Sequence, residues 1–193
     1  MGYFATLENK RPDAAISTLL AYVVNDATTN YFKGQVYEGE WPNTGFGITN
    51  IRACDVARSN QNPGNLNGNV AGSSIWGVTA VTLSTWTDWV NLTIDIRSYH
   101  VPVGVFNRTL VPHVIRVRPR ASGQDLPSVD LENLYAFEDQ AWAYLSKPYS
   151  VAPGKNHTIR VLTDATISGT PAERIGISGY IVATQAYLIT ESV

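Results

Sequence analysis

Residues 90–97, Val-Asn-Leu-Thr-Ile-Asp-Ile-Arg, alternate apolar and polar without a break. In an extended chain successive side chains point to opposite sides, so Val90, Leu92, Ile94 and Ile96 share one face and Asn91, Thr93, Asp95 and Arg97 the other. This predicts a strand packed on one side and wet on the other. That is the pattern of an antiparallel sheet or of the outer layer of a sandwich, not of a parallel sheet covered on both faces.

Other segments repeat the signal. Ile159 and Val161 share a phase after the Pro153-Gly154 turn, and Ile175, Ile177, Ile181 and Ile189 punctuate a long apolar run that Gly176 and Gly179 interrupt. Only 16 % of residues are charged, while 15 Gly and 10 Pro supply turns, a composition suited to strands joined by tight connections. No repeat of fixed period and no linker divides the 193 residues, so we expect one domain over 1–193. The expected class is all-β, an antiparallel sandwich of jelly-roll-like type with at most one short helix.

Residues 1–12 are polar and end in Pro12, which predicts an extended N-terminal arm. Residues 13–24 suit either a helix capped by Asp13 or a strand, and the run Thr-Leu-Leu-Ala-Tyr-Val-Val favours the strand. Residues 57–74 carry almost nothing to bury and read as a long surface loop. The best helix signature lies in 128–145, with Ser128 or Asp130 as cap and Leu131, Leu134, Tyr135, Ala141, Trp142 and Leu145 near helical spacing. It fails at Glu138, so the end of the segment is expected to run on as a strand.

Enzymatic chemistry finds little support. There is no Gly-x-Ser-x-Gly, phosphate-binding loop, dinucleotide fingerprint or His-Glu-x-x-His. Cys54 is alone, and His100, His113 and His157 lie far apart in sequence, so neither a disulfide nor a zinc site of short ligand spacing is expected, and no cofactor. Each histidine reads as a surface residue or one satisfied in place. Glu38, Glu40, Asp88, Asp95, Glu138 and Asp139 are the acids from which a glycosidase would have to draw a pair, and nothing sets two of them face to face. No export signal is apparent at the start and no stretch reaches the length of a membrane span, which points to a protein made in a cytoplasm and to no membrane partner.

Two features suggest contacts instead. In 113–121, His-Val-Ile-Arg-Val-Arg-Pro-Arg-Ala, a strand would turn Ile115 and Val117 inward and Arg116 and Arg118 outward, with Arg120 extending the stripe. The chain has only four lysines, and guanidinium forks suit surfaces that become buried against carboxylates and carbonyls. A net charge of −2 argues against nucleic acid, and the acidic segment close by, Gln124, Asp125, Asp130 and Glu132, on this chain or on an adjacent subunit, is a simpler partner for the stripe, the other reading being the wet side of a strand. The second feature is aromatic: Trp86 and Trp89, flanking Thr87-Asp88, and Trp41 would stack on sugar rings if exposed.

Low charge, a polar arm, the Asn/Gly-rich loop and Pro-Tyr-Ser-Val-Ala-Pro-Gly-Lys-Asn-His-Thr-Ile-Arg-Val leading to the final strand together resemble jelly-roll or related β-sandwich virion proteins of icosahedral viruses. These include the capsid decoration (cement) proteins of tailed bacteriophages. The resemblance covers roughly residues 30–193 and is architectural. It implies a non-enzymatic shell or decoration subunit located in the virion and assembled in the host cytoplasm. Such a subunit forms a homo-oligomer, commonly a trimer, and binds other capsid proteins, with Arg116, Arg118 and Arg120 as the candidate interface. The alternative is a carbohydrate-binding module of a phage tail or baseplate acting through Trp41, Trp86 and Trp89.

Overall fold

The computed structural model describes residues 13–37, 45–51, 76–78, 83–107, 109, 112–131, 141–145, 147–166 and 173–190. The strands are β1 (Phe46–Asn50), β2 (Trp76–Val78), β3 (Thr87–Thr93), β4 (Ser98–Asn107), β5 (Val114–Ala121), β6 (Gln124–Asp125), β7 (Val129–Asp130), β8 (Ala141–Tyr144), β9 (Asn156–Thr163) and β10 (Glu173–Thr184). They form two five-stranded sheets. One runs β1-β10-β4-β8 with β2 also on β10, and the other runs β3-β9-β5-β6 with β7 also on β5.

All these pairings are antiparallel, and they nest. β1 pairs with β10, β3 with β9, β4 with β8, and β5 with β6 and β7, so the chain behaves as one long hairpin whose successive rungs fall in alternate sheets. β10–β4 and β9–β5 contacts then close each sheet. The two antiparallel sheets form a β-sandwich with their shared core between them. The all-β expectation therefore holds.

The helical content exceeds the expected single short helix. Residues 13–24, favoured as a strand, begin helix α1 (Asp13–Asp26), which continues as a π-helical turn (Ala27–Tyr31). Buried Val23 and Ala27, with Leu19, Leu20 and Val24 beside them, recur every three or four residues and pack on the outer face of the first sheet against Tyr99, Val101 and Val182, and Ile16 one turn earlier is buried too. Burying that stripe outweighs the strand preference of the β-branched residues. The Tyr99 hydroxyl donates to Asp26 Oδ2 at 3.1 Å and ties the helix to the sheet. At the other end, residues 185–190 curl into a second helix, α2 (Gln185–Thr190), so Ile189 does not continue the strand phase.

A helix on one side and a sheet on the other leave β4 buried along almost its whole length. β3, at the sandwich edge, keeps one wet face. Its alternation ends sooner than the sequence implies: Ile94 is buried, but Ile96 sits in the β3–β4 turn with 74 % of its surface exposed. The inter-sheet core joins Val105, Ile175 and Ile177 of the first sheet to Trp89, Val90, Leu92, Val114, Val117, Ile159 and Val161 of the second.

The helix expected in 128–145 is not formed where that segment is described. Val129–Asp130 pairs with β5, and Ala141–Tyr144 pairs with β4 as the strand ending that was foreseen. Residues 132–140 lie outside the described residues, as do the expected arm 1–12 and loop 57–74.

Candidate functional site

β9 alternates inward and outward, and its two faces carry two different polar networks. Inward, in phase with Ile159 and Val161, is His157, placed just after the turn in which Gly154 adopts a φ of 71°. Opposite it on β4 is His100, and both rings are fully buried. Backbone bonds between His100 and Val151 (3.0 and 2.8 Å) hold the 147–151 segment alongside β4, which brings Tyr149 into the same layer.

Four side chains from three parts of the chain then line up. Tyr149 Oη lies 2.8 Å from His157 Nε2, His157 Nδ1 is 3.4 Å from His100 Nδ1, and His100 Nε2 is 3.5 Å from Ser98 Oγ, itself 3.2 Å from the Asp95 carbonyl. The direction of the protons follows from the last member. A carbonyl only accepts, so Ser98 spends its one proton there and takes the Nε2–H of His100. His100 Nδ1 then accepts from His157 Nδ1–H, leaving His157 Nε2 to accept from the Tyr149 hydroxyl. With this assignment every proton along these bonds points the same way, from Tyr149 to Asp95.

The electrostatics agree. Burial first, and the neighbouring His100 second, hold the pKa of His157 well below the usual histidine range. Burial also pushes the Tyr149 hydroxyl up, so it remains a donor. A nucleophile needs access to substrate as well as a base; Ser98 is fully buried and its proton is committed to Asp95. The expectation that each histidine is satisfied in place holds for His100 and His157, and it took the fold to reveal that they satisfy one another. His113 is half-exposed and pairs with Asp164 at 3.0 Å. Among the described residues no group of three or more His, Cys, Asp or Glu could hold a metal.

Outward from β9 and β5 lies the arginine stripe. Arg116 faces Asp130 at 3.6 Å, Arg118 faces Asp125 at 3.0 Å and Arg120 faces Asp125 at 3.5 Å. Arg160 of β9 joins the lattice through Asp88 at 3.2 Å and donates to the Trp86 carbonyl at 3.0 Å. The acids foreseen as partners, Asp125 and Asp130, are thus reached within the chain itself. Within the strand the inward phase differs from expectation. A bulge between Val114 and Arg116 buries Val114 with Val117 and leaves Ile115 half-buried.

The aromatic patch does not form. A second bulge, between Asp88 and Val90, turns Trp89 into the inter-sheet core, where 1 % of its surface is exposed. Trp86 is half-buried, and the Arg118 guanidinium lies 3.9 Å from its ring centroid, over one face of the indole. Trp41 lies outside the described residues, as do Glu38, Glu40, Glu138 and Asp139. Asp88 is engaged by Arg160, and Asp95 is held by Arg97 at 2.9 Å.

Comparison with protein-family models, with curated proteins and with solved structures finds no match to this chain.

Proposed function

We propose that this protein is a non-enzymatic structural subunit of a virus particle, a shell or decoration component that acts by self-association and by contacts with other capsid proteins. The observation that carries the reading is the nested strand pairing. Read as a jelly roll, the nested sandwich has counterparts in viral capsids, lectins and cupins, and the described residues favour the first of these. A lectin needs an open aromatic face, but Trp89 is buried and Trp86 is half-buried with Arg118 over one face. A catalytic interior needs access, whereas His100 and His157 are fully buried and hydrogen-bonded to each other and to Tyr149 and Ser98.

Surface features favour association. Tyr22, Tyr31, Val36 and Tyr37 are exposed on and just after α1, and Arg116 and Arg120 keep nearly half their side-chain surface open despite their aspartates. Aromatic and arginine side chains of this sort are the types that interfaces enrich. Repetition by symmetry would turn many such modest contacts into firm assembly. Sedimentation velocity and electron microscopy of the purified chain over a wide concentration range test the proposal. Closed oligomers or shells are expected, and a strict monomer at every concentration overturns it.

A further inference from the structure

Among the described side chains, Asp26 stands apart from the other aspartates. Asp88, Asp95, Asp125, Asp130 and Asp164 each face an arginine or a histidine at 2.9 to 3.6 Å. Asp26 faces none of the described cations, and Lys33, in the turn that follows α1 and the π-helical turn, is exposed and forms no ion pair among the described residues. The two oxygens of Asp26 accept instead from neutral donors, Oδ1 from Asn30 Nδ2 at 2.7 Å and Oδ2 from the Tyr99 hydroxyl at 3.1 Å. Burial pushes the Tyr99 hydroxyl up, so it keeps its proton and donates it. Each carboxylate oxygen has a further lone pair to offer, and Asp26 is only half-buried.

The helix sets an open tyrosine on each side of this carboxylate. Tyr22 is one α-helical turn before Asp26, and side chains four residues apart share a face. After Asp26 the winding widens to i→i+5, with the Phe32 N–H donating to the Ala27 carbonyl. The wider turn keeps Tyr31, five residues on, near the same face, where an α-helix would carry it round the axis. Its ring meets Tyr99 at right angles, with centroids 5.9 Å apart and planes at 88°, so Tyr31, Tyr99 and Asp26 adjoin one corner. Tyr22 bears electrostatically on the Tyr99 hydroxyl, which sets it at the same corner. The core side of α1 is built from Val23 and Ala27, whereas Tyr22 and Tyr31 keep 59 % and 39 % of their surface exposed.

A carboxylate between two open phenol rings fits a flat organic cation. The guanidinium of arginine donates to a carboxylate through its edge and lays its plane on an aromatic ring. We propose that Tyr22, Asp26 and Tyr31 form a receptor for an arginine side chain of a partner segment, with Asn30 and Tyr99 as positioning residues that fix the carboxylate. The site is independent of whether the protein assembles into a particle.

Nitrogen-15 NMR of the full chain, titrated with N-acetylarginine methylamide, is the test. Saturable shifts are expected at the amides of residues 22–32 and of Tyr99, with a dissociation constant in the millimolar range that suits one ion pair and two ring contacts. The citrulline analogue has nearly the same shape and no charge, and it should produce no saturable shift. Asp26→Asn should weaken binding at least about fivefold, and Tyr22→Leu about threefold. Should Asp26→Asn fail to fold, Tyr22→Leu and the citrulline analogue decide, because Tyr22 lies outside the core and makes no bond to Asp26. No saturable shift, shifts centred on another part of the chain, an equal response to the citrulline analogue, or undiminished binding in either folded variant overturns the proposal.

Discussion

Strand β9 places His157 and Arg160 three residues apart, on opposite faces of one sheet, and the two side chains live under different rules. Arg160 and the stripe on β5 face solvent, and their aspartates lie at 3.0 to 3.9 Å with water able to replace either partner. Exposed pairs of this kind contribute roughly 0–1 kcal/mol each and weaken with salt. His157 has no water to fall back on, so its partners are obligatory and their loss is costly. A sheet can thus carry many charges outside without gaining rigidity, while buried hydrogen-bonded groups such as His157 and Tyr149 tie the two layers together.

The sharpest way to break this contrast is to treat two tryptophans alike. Trp89→Ala empties a core site and should cost about 3–5 kcal/mol in urea unfolding, whereas Trp86→Ala should cost about 1 kcal/mol or less. Equal losses would mean that the bulge at Asp88–Val90 does not separate inside from outside. Next, His157→Leu leaves the Tyr149 hydroxyl and His100 Nδ1 facing an apolar side chain, and a loss of about 3 kcal/mol at neutral pH is expected. A loss below about 1 kcal/mol in thermal or urea melts would show that the chain is not obligatory.

A backbone test comes third. A Cβ on Gly179 would run into the Val101 carbonyl at the β10 bulge, so Gly179→Ala should cost about 1–3 kcal/mol, read as a lower urea midpoint with an unchanged slope. The smallest effect belongs to the outer face. Replacing Arg116 and Arg118 together by Ser should shift stability by about 0.5 kcal/mol or less at moderate salt while weakening any self-association measured by sedimentation. Unchanged association would remove the stripe from the interface.

What could be read in the residues was the local periodicity. The alternation of 90–94, the inward Ile159 and Val161 and the long glycine-bearing run of β10 each record which face meets the core, and the structure keeps them. His157 shares the phase of Ile159 and Val161, so its burial was legible too. Its partner was not, because His100 is 57 positions away and only the nested pairing of β3 with β9 and β4 with β10 brings the two rings together. The bulges escaped for a related reason. An extra residue in one strand is defined by the partner strand's register, and it reverses the side on which Trp89 falls. Helix α1 was misjudged because its strand-like residues are overruled by a tertiary surface, Tyr99, Val101 and Val182, that lies far along the chain.

The central claim is that His100 and His157, between the two sheets, are structural and closed to solvent. Carbethoxylation of the native protein at neutral pH, followed by peptide mass mapping, addresses this directly. Modification is expected at His113 alone among the histidines, with His100 and His157 reacting only after unfolding in urea. Reaction of His100 or His157 in the folded chain at a rate comparable to His113 would mean an accessible imidazole pair, and it would contradict the account.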